Sequence, residues 1–154
     1  MASVNLYMKF DYTDADGNLY SDGSTSTAKT ISIDGGEIFD RTYSIASGTI
    51  TEILSDSMIG DFDFLWIESD QAGEIQLVCN EGGTTGASNL ENGWVVKLNA
   101  GVPFILSNDD SRNQAGAATN IDTWETNWTA DTIDRIEFYH TTGSTAKVRV
   151  IAIT

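Results

Sequence analysis

The chain carries few side chains with the chemistry of a catalyst: its only histidine is His140 and its only cysteine is Cys79. A nucleophilic triad needs a base beside a nucleophile. His140 stands at the edge of a turn, with no Gly-x-Ser-x-Gly elbow or cysteine near it in sequence, and is expected at the surface as a strand-end side chain. Cys79 closes the apolar run Ile75-Gln76-Leu77-Val78-Cys79 and reads as a core thiol, so no intrachain disulfide forms and packing must hold the fold. Structural zinc needs several Cys and His ligands, which this composition does not supply. Carboxylates are plentiful, at 23 Asp plus Glu, but a glycosidase uses only a pair, and in so acidic a chain pairs arise by chance.

Two short motifs have simple readings. Asp14-x-Asp16-Gly17-Asn18 sets oxygen ligands before a glycine as a calcium loop does, but Tyr12 holds the place of the first acid and Gly23 that of the terminal Glu. An acidic β-turn is expected there. Asn127-Trp128-Thr129 is a glycosylation sequon without a secretion signal to use it. The residues therefore predict no enzyme, no cofactor and no metal site.

The formal charge of -15, with eight basic residues, argues against phosphate backbones and anionic membranes as partners. It suits a solvated surface exposed at high local concentration. Met1-Ala2-Ser3-Val4 lacks a basic region leading into an apolar one, and no segment is apolar for long enough to span a bilayer; synthesis in the cytoplasm without processing is expected.

What positions these residues is a succession of strand patterns. Val4, Leu6, Met8 and Phe10 alternate with Asn5, Tyr7 and Lys9 ahead of the acidic turn; Ile31 and Ile33 mark a second strand. Phe39, Tyr43 and Ile45 share a face with Arg41, which is expected to make a polar contact. Ile50 to Leu54 follows. Phe62, Phe64 and Trp66 alternate with Asp63, Leu65 and Ile67, apolar on both faces as in a central strand. Ile75 to Cys79 comes next. Trp94 to Leu98 and Phe104 to Leu106, joined by Asn99-Ala100-Gly101, read as a hairpin with Pro103 at the start of its second strand. Ile136, Phe138 and His140, then Ala146, Val148, Val150 and Ala152, read as another hairpin across Thr141 to Thr145. Ile151-Ala152-Ile153 makes the last strand apolar on both sides, suited to its own core or to a neighbour. Trp66 and Trp94, in alternating apolar runs, are expected inside.

No helical stripe is sustained anywhere. One domain over 1–154 is expected, an all-β antiparallel β-sandwich, with a jelly roll as the arrangement. The exception to the regular spacing is the polar connection Asn108 to Thr132, which contains Ile121, Trp124 and Trp128. A single helical turn would put the two tryptophans on one face. They either cap the open end of the sandwich or form a partner surface, where tryptophan is enriched.

From Thr49 onward the order of segments resembles small structural proteins of tailed bacteriophages. The residues that carry the resemblance are Thr51-Glu52-Ile53-Leu54, Phe64-Leu65-Trp66-Ile67-Glu68-Ser69-Asp70, Trp94 to Phe104 with Lys97-Leu98-Asn99-Ala100-Gly101 at its centre, Ile133 to Tyr139, and Ala146-Lys147-Val148-Arg149-Val150. It covers the C-terminal two-thirds of the chain. The resemblance implies a jelly-roll virion component, above all a capsid decoration (cement) protein on the outer surface of the head, with a tail or neck protein as the alternative. The expected partners are the major capsid protein or other virion proteins and further copies of the chain, as a homotrimer. Interface residues are expected at Ile121, Trp124, Trp128, Ile151 and Ile153. A carbohydrate-binding β-sandwich module, with tryptophans as stacking platforms, is the rival class.

Overall fold

The computed structural model describes residues 2–33, 36–55, 57–59, 62–79, 92–107, 114–118 and 128–154, with 2, 32, 79, 92–93, 114–118 and 128–132 described by their backbone alone. The described secondary structure is all strand: β1 (Ala2–Thr13), β2 (Leu19–Ile33), β3 (Ile38–Ile45), β4 (Thr51–Ser55), β5 (Phe64–Ser69), β6 (Gly73–Cys79), β7 (Asn92–Leu98), β8 (Phe104–Ser107), β9 (Gln114–Ala118), β10 (Trp128–Tyr139) and β11 (Ala146–Ile153). β1 and β2 form a two-stranded sheet. The others form an antiparallel sandwich, with β3-β11-β5-β8 as one sheet and β4-β10-β6-β7 as the other, where β9 joins β10.

The chain path through the sandwich is nested. β3 pairs with β11, β4 with β10, β5 with β8 and β6 with β7, so the outermost segments of the path meet one another and the innermost do likewise. Pairs β11–β5 and β10–β6 then knit these four ribbons into two sheets. Successive strands from β3 to β6 therefore lie in alternate sheets, and so do β7 and β8, and β10 and β11. Both hairpins expected from the sequence, Trp94–Leu98 with Phe104–Leu106 and Ile136–Tyr139 with Ala146–Ala152, are instead arches from one sheet to the other. Alternation correctly gives β6, β10 and β11 their inward faces. It does not choose the hydrogen-bonding neighbour, and both sides of β10 and of β11 are taken by more distant strands.

The core lies between the sheets. On β11, Ala146, Val148, Val150 and Ala152 are fully buried while Lys147 and Arg149 are exposed, the period-two pattern of a strand with one face inward. Leu65 and Ile67 of β5, Ile75 and Leu77 of β6, and Ile136 and Phe138 of β10 meet them in the same cluster. The small Ala152 stands in register between Phe39 and Leu65, so large side chains flank a small one across the sheet. Fully burying a Leu, Ile or Phe is worth about 1.5–3 kcal/mol, which makes this cluster the main stabilising element. Gly73 is required by that packing: a Cβ there would lie 2.6 Å from the Phe138 ring and 2.7 Å from the Tyr139 carbonyl oxygen.

His140 corrects the surface placement expected for it. It is 2% exposed, with Nδ1 3.1 Å from the carbonyl oxygen of Thr142 and Nε2 3.0 Å from that of Ile45. Its own carbonyl accepts a 2.8 Å hydrogen bond from the Gly48 amide, and its ring lies 5.8 Å from that of Phe138. The β3–β4 and β10–β11 crossings run side by side at this end of the sandwich, and His140 ties one to the other. Carbonyls only accept, so the donating contact is made by the ring nitrogen that carries the proton.

The tryptophans expected inside also lie elsewhere. Trp66 is half-buried on the outer face of its sheet, in register with Ile151 and Ile105. β5 is apolar on both faces, and the core takes Leu65 and Ile67. Trp94, opposite Leu77, is 51% exposed because β7 is an edge strand. The polar contact expected of Arg41 is a cation–π contact, its guanidinium carbon 5.1 Å from the centre of the Phe39 ring.

Candidate interaction surface

The first 33 residues build an arm on which the chain leaves a cluster of large apolar side chains exposed. Alternation on β1 puts Val4, Leu6, Met8, Phe10 and Tyr12 on one face, and the register adds Tyr20, opposite Tyr12, and Ile31, opposite Val4, with the polar Lys29, Ser24 and Asp22 opposite Leu6, Met8 and Phe10. The inner end of this face is covered: Val4, Leu6 and Ile31 are half-buried and Ile33 is 2% exposed. The outer end is open, with Met8, Phe10, Tyr12 and Tyr20 each more than half exposed. Tyr12 and Tyr20 face each other with ring centres 6.1 Å apart.

The opposite face is mostly polar and satisfies itself. The Lys9 ammonium donates to Asp11 at 2.7 Å, Ser21 donates to the same carboxylate at 2.5 Å, and Thr30 donates to Asn5 at 2.9 Å. Tyr7 and Leu19 are its exposed apolar exceptions. The β1 strand, apolar on one side and mostly polar on the other, has the pattern of a strand packed on one side.

Two local devices shape the arm. At the tip, one Asp14 oxygen accepts from the amides of Asp16 (3.0 Å) and Asn18 (2.8 Å), the other accepts from the Asn18 side-chain amide (2.9 Å), and Gly17 takes a φ of 84°. These bonds, led by that of the Asn18 side chain, hold the Asp14 carboxyl below its ordinary range. The loop that resembled a calcium site is thus a turn closed by its own carboxylate. Among the described residues, no group of three or more His, Cys, Asp or Glu is placed to hold a metal.

The second device is a bulge. Leu6 pairs with Lys29 but Met8 pairs with Ser24, so five steps along β2 answer two along β1. Ser24 Oγ accepts from the amides of Ser26 (3.0 Å) and Thr27 (2.9 Å), which closes the extra residues into a loop. Gly23, at φ 82°, passes so close to the Met8 carbonyl that no side chain fits. Beside the bulge opens a cleft of about 420 Å³, with Met8, Phe10 and Ala28 on its walls and Lys9, Asp22 and Lys29 around it.

Of the interface residues expected from sequence, Ile151 and Ile153 lie half-buried on the outer face of the first sheet, where they continue the Trp66 and Ile105 surface. Trp128 begins β10, opposite Ala118, with only its backbone described. Ile121 and Trp124 fall outside the described residues. The arm face was legible in part: its alternation on β1 is plain, but its exposure is not a property of the local sequence.

No family model matches this chain, and no curated protein or solved structure matches it.

Proposed function

We propose that the nested sandwich is a jelly roll and that the chain is a non-enzymatic virion structural protein, a decoration or cement protein seated on the outer surface of a bacteriophage head. The observation that carries this reading is the nested eight-strand path together with an arm whose apolar face the chain leaves open. Pairing first with last and second with penultimate is the wound path of jelly rolls, an architecture used by viral shell and lectin domains. An uncovered apolar face is the mark of a component built to be covered by others. The charge of -15 favours the outside of a shell over contact with packaged DNA. The partners are the major capsid protein and further copies of the chain, in the homotrimer expected from sequence. The step from fold to shell is one of analogy.

Mass spectrometry of purified virions tests it. A copy number in fixed proportion to the major capsid protein supports decoration, a few copies per particle supports the tail or neck, and absence from the virion overturns the reading. Carbohydrate binding keeps one specific support, the exposed Trp94 ring on an edge strand. A glycan array with hits abolished by Trp94→Ala would move the assignment there.

A further inference from the structure

We propose that the arm binds a second copy of this chain, the tip of one arm seated in the bulge cleft of the other. The arm carries both halves of such a contact. Its tip bears Tyr12 and Tyr20, cross-strand partners 53% and 54% exposed, beside Asp14 and Asp16. Its cleft, about 420 Å³ in volume, is lined by Met8, Phe10 and Ala28 together with Asp22, Lys29 and Lys9, the last already paired with Asp11. An aromatic side chain fits a space of that size, and the Lys29 ammonium is opposite in sign to the carboxylates of the tip. Lys29 makes no ion pair among the described residues. The Asp14 carboxyl, held below its ordinary range by its bonds to Asn18, stays ionised. Knob and hole lie about 13 Å apart along the strand, four residues at about 3.3 Å each, so both can be engaged at once.

Area and stability point the same way. Four large side chains, each a little over half exposed, present roughly 450 Å² of mainly apolar surface per copy, taking about 200 Å² for each. Filling the cleft and burying the flanking strand atoms brings a pair of copies to about 1,200 Å², the lower bound of specific interfaces. A two-stranded ribbon alone in water is marginal at best, and a partner laid on its apolar face supplies what it lacks. Two closures satisfy every tip and every cleft: a reciprocal pair, or a ring in which each tip enters the next cleft, and of these only the ring agrees with a homotrimer.

The proposal goes beyond the virion reading and does not depend on it, because it is tested on the purified protein alone. Sedimentation velocity over about a hundredfold range of concentration is expected to show self-association, with a dimer mass for the pair and a trimer mass for the ring. Tyr12→Ser with Tyr20→Ser is expected to weaken association at least about tenfold, with the thermal midpoint of the sandwich unchanged. Lys29→Glu is expected to weaken it several-fold and to blunt its salt dependence, an effect that loss of apolar surface alone does not produce. A monomer at every concentration overturns the proposal. So does association that survives both variants but is lost in Trp94→Ser, which would place the contact on the sandwich edge.

Discussion

His140→Ala tests whether one buried ring holds the two crossings at its end of the sandwich together. The substitution removes the partner of the Ile45 carbonyl, 3.0 Å from Nε2, and that of the Thr142 carbonyl, 3.1 Å from Nδ1. Thr142 is exposed, so its carbonyl regains water at little cost. The Ile45 carbonyl bonds a ring that is 2% exposed; losing that bond costs about 1–2 kcal/mol. Removing a buried ring packed against Phe138 adds about 2 kcal/mol of lost contact and cavity. The total is about 3–4 kcal/mol, a large share of the 5–15 kcal/mol typical of a domain. Urea unfolding followed by tryptophan fluorescence is expected to show the midpoint lowered by more than about 1 M with an unchanged slope. His140→Gln, which keeps one N–H donor, is expected to fall between alanine and wild type. A loss under about 0.5 kcal/mol for His140→Ala, the range of ordinary surface substitutions, would refute the staple.

Other substitutions probe the packing and the arm. Gly73→Ala forces a methyl against the Phe138 ring and the Tyr139 carbonyl and is expected to cost about 1–3 kcal/mol in urea unfolding, partly recovered by Phe138→Leu. Gly48→Ala, at φ 78° with nothing near the added carbon, is expected to cost only the left-handed strain of about 1–2 kcal/mol. The tip has a pH dependence of definite sign. Because the Asp14 carboxyl is held below its ordinary value, the turn is fully supported above the unfolded carboxylate range near 3.9 and loosens as pH falls through the lower folded value; the Asn18 amide resonances are expected to follow that transition. Asp40→Asn removes the charge from the paired contacts of 3.1 and 2.8 Å to Arg149, yet both side chains are about half exposed, so the urea midpoint is expected to stay at the wild-type value.

Period-two alternation is a local property, and what depends on it was readable directly. Val148, Val150 and Ala152 face the core, as do Ile75 with Leu77 and Ile136 with Phe138, because a strand with one buried face must repeat every second residue. The acidic turn at Asp14 was readable for the same reason, since its hydrogen bonds close within five residues. Pairing is not local. Ile136–Tyr139 and Ala146–Ile153 satisfy a hairpin and an arch equally well, and only the competition of β4 and β6 for β10, and of β3 and β5 for β11, selects the arch. Residues 21–30, rich in Ser and Thr, carry no apolar alternation and become strand because β1 supplies hydrogen-bond partners. β5 is apolar on both faces, so the choice of Leu65 over Trp66 for the core belongs to the sheet opposite. His140 is buried through the carbonyl of Ile45, 95 residues earlier in the chain. The exposure of Met8, Phe10, Tyr12 and Tyr20 has the same origin: sequence sets an apolar face on the arm, and only the folded chain decides that neither of its sheets covers it.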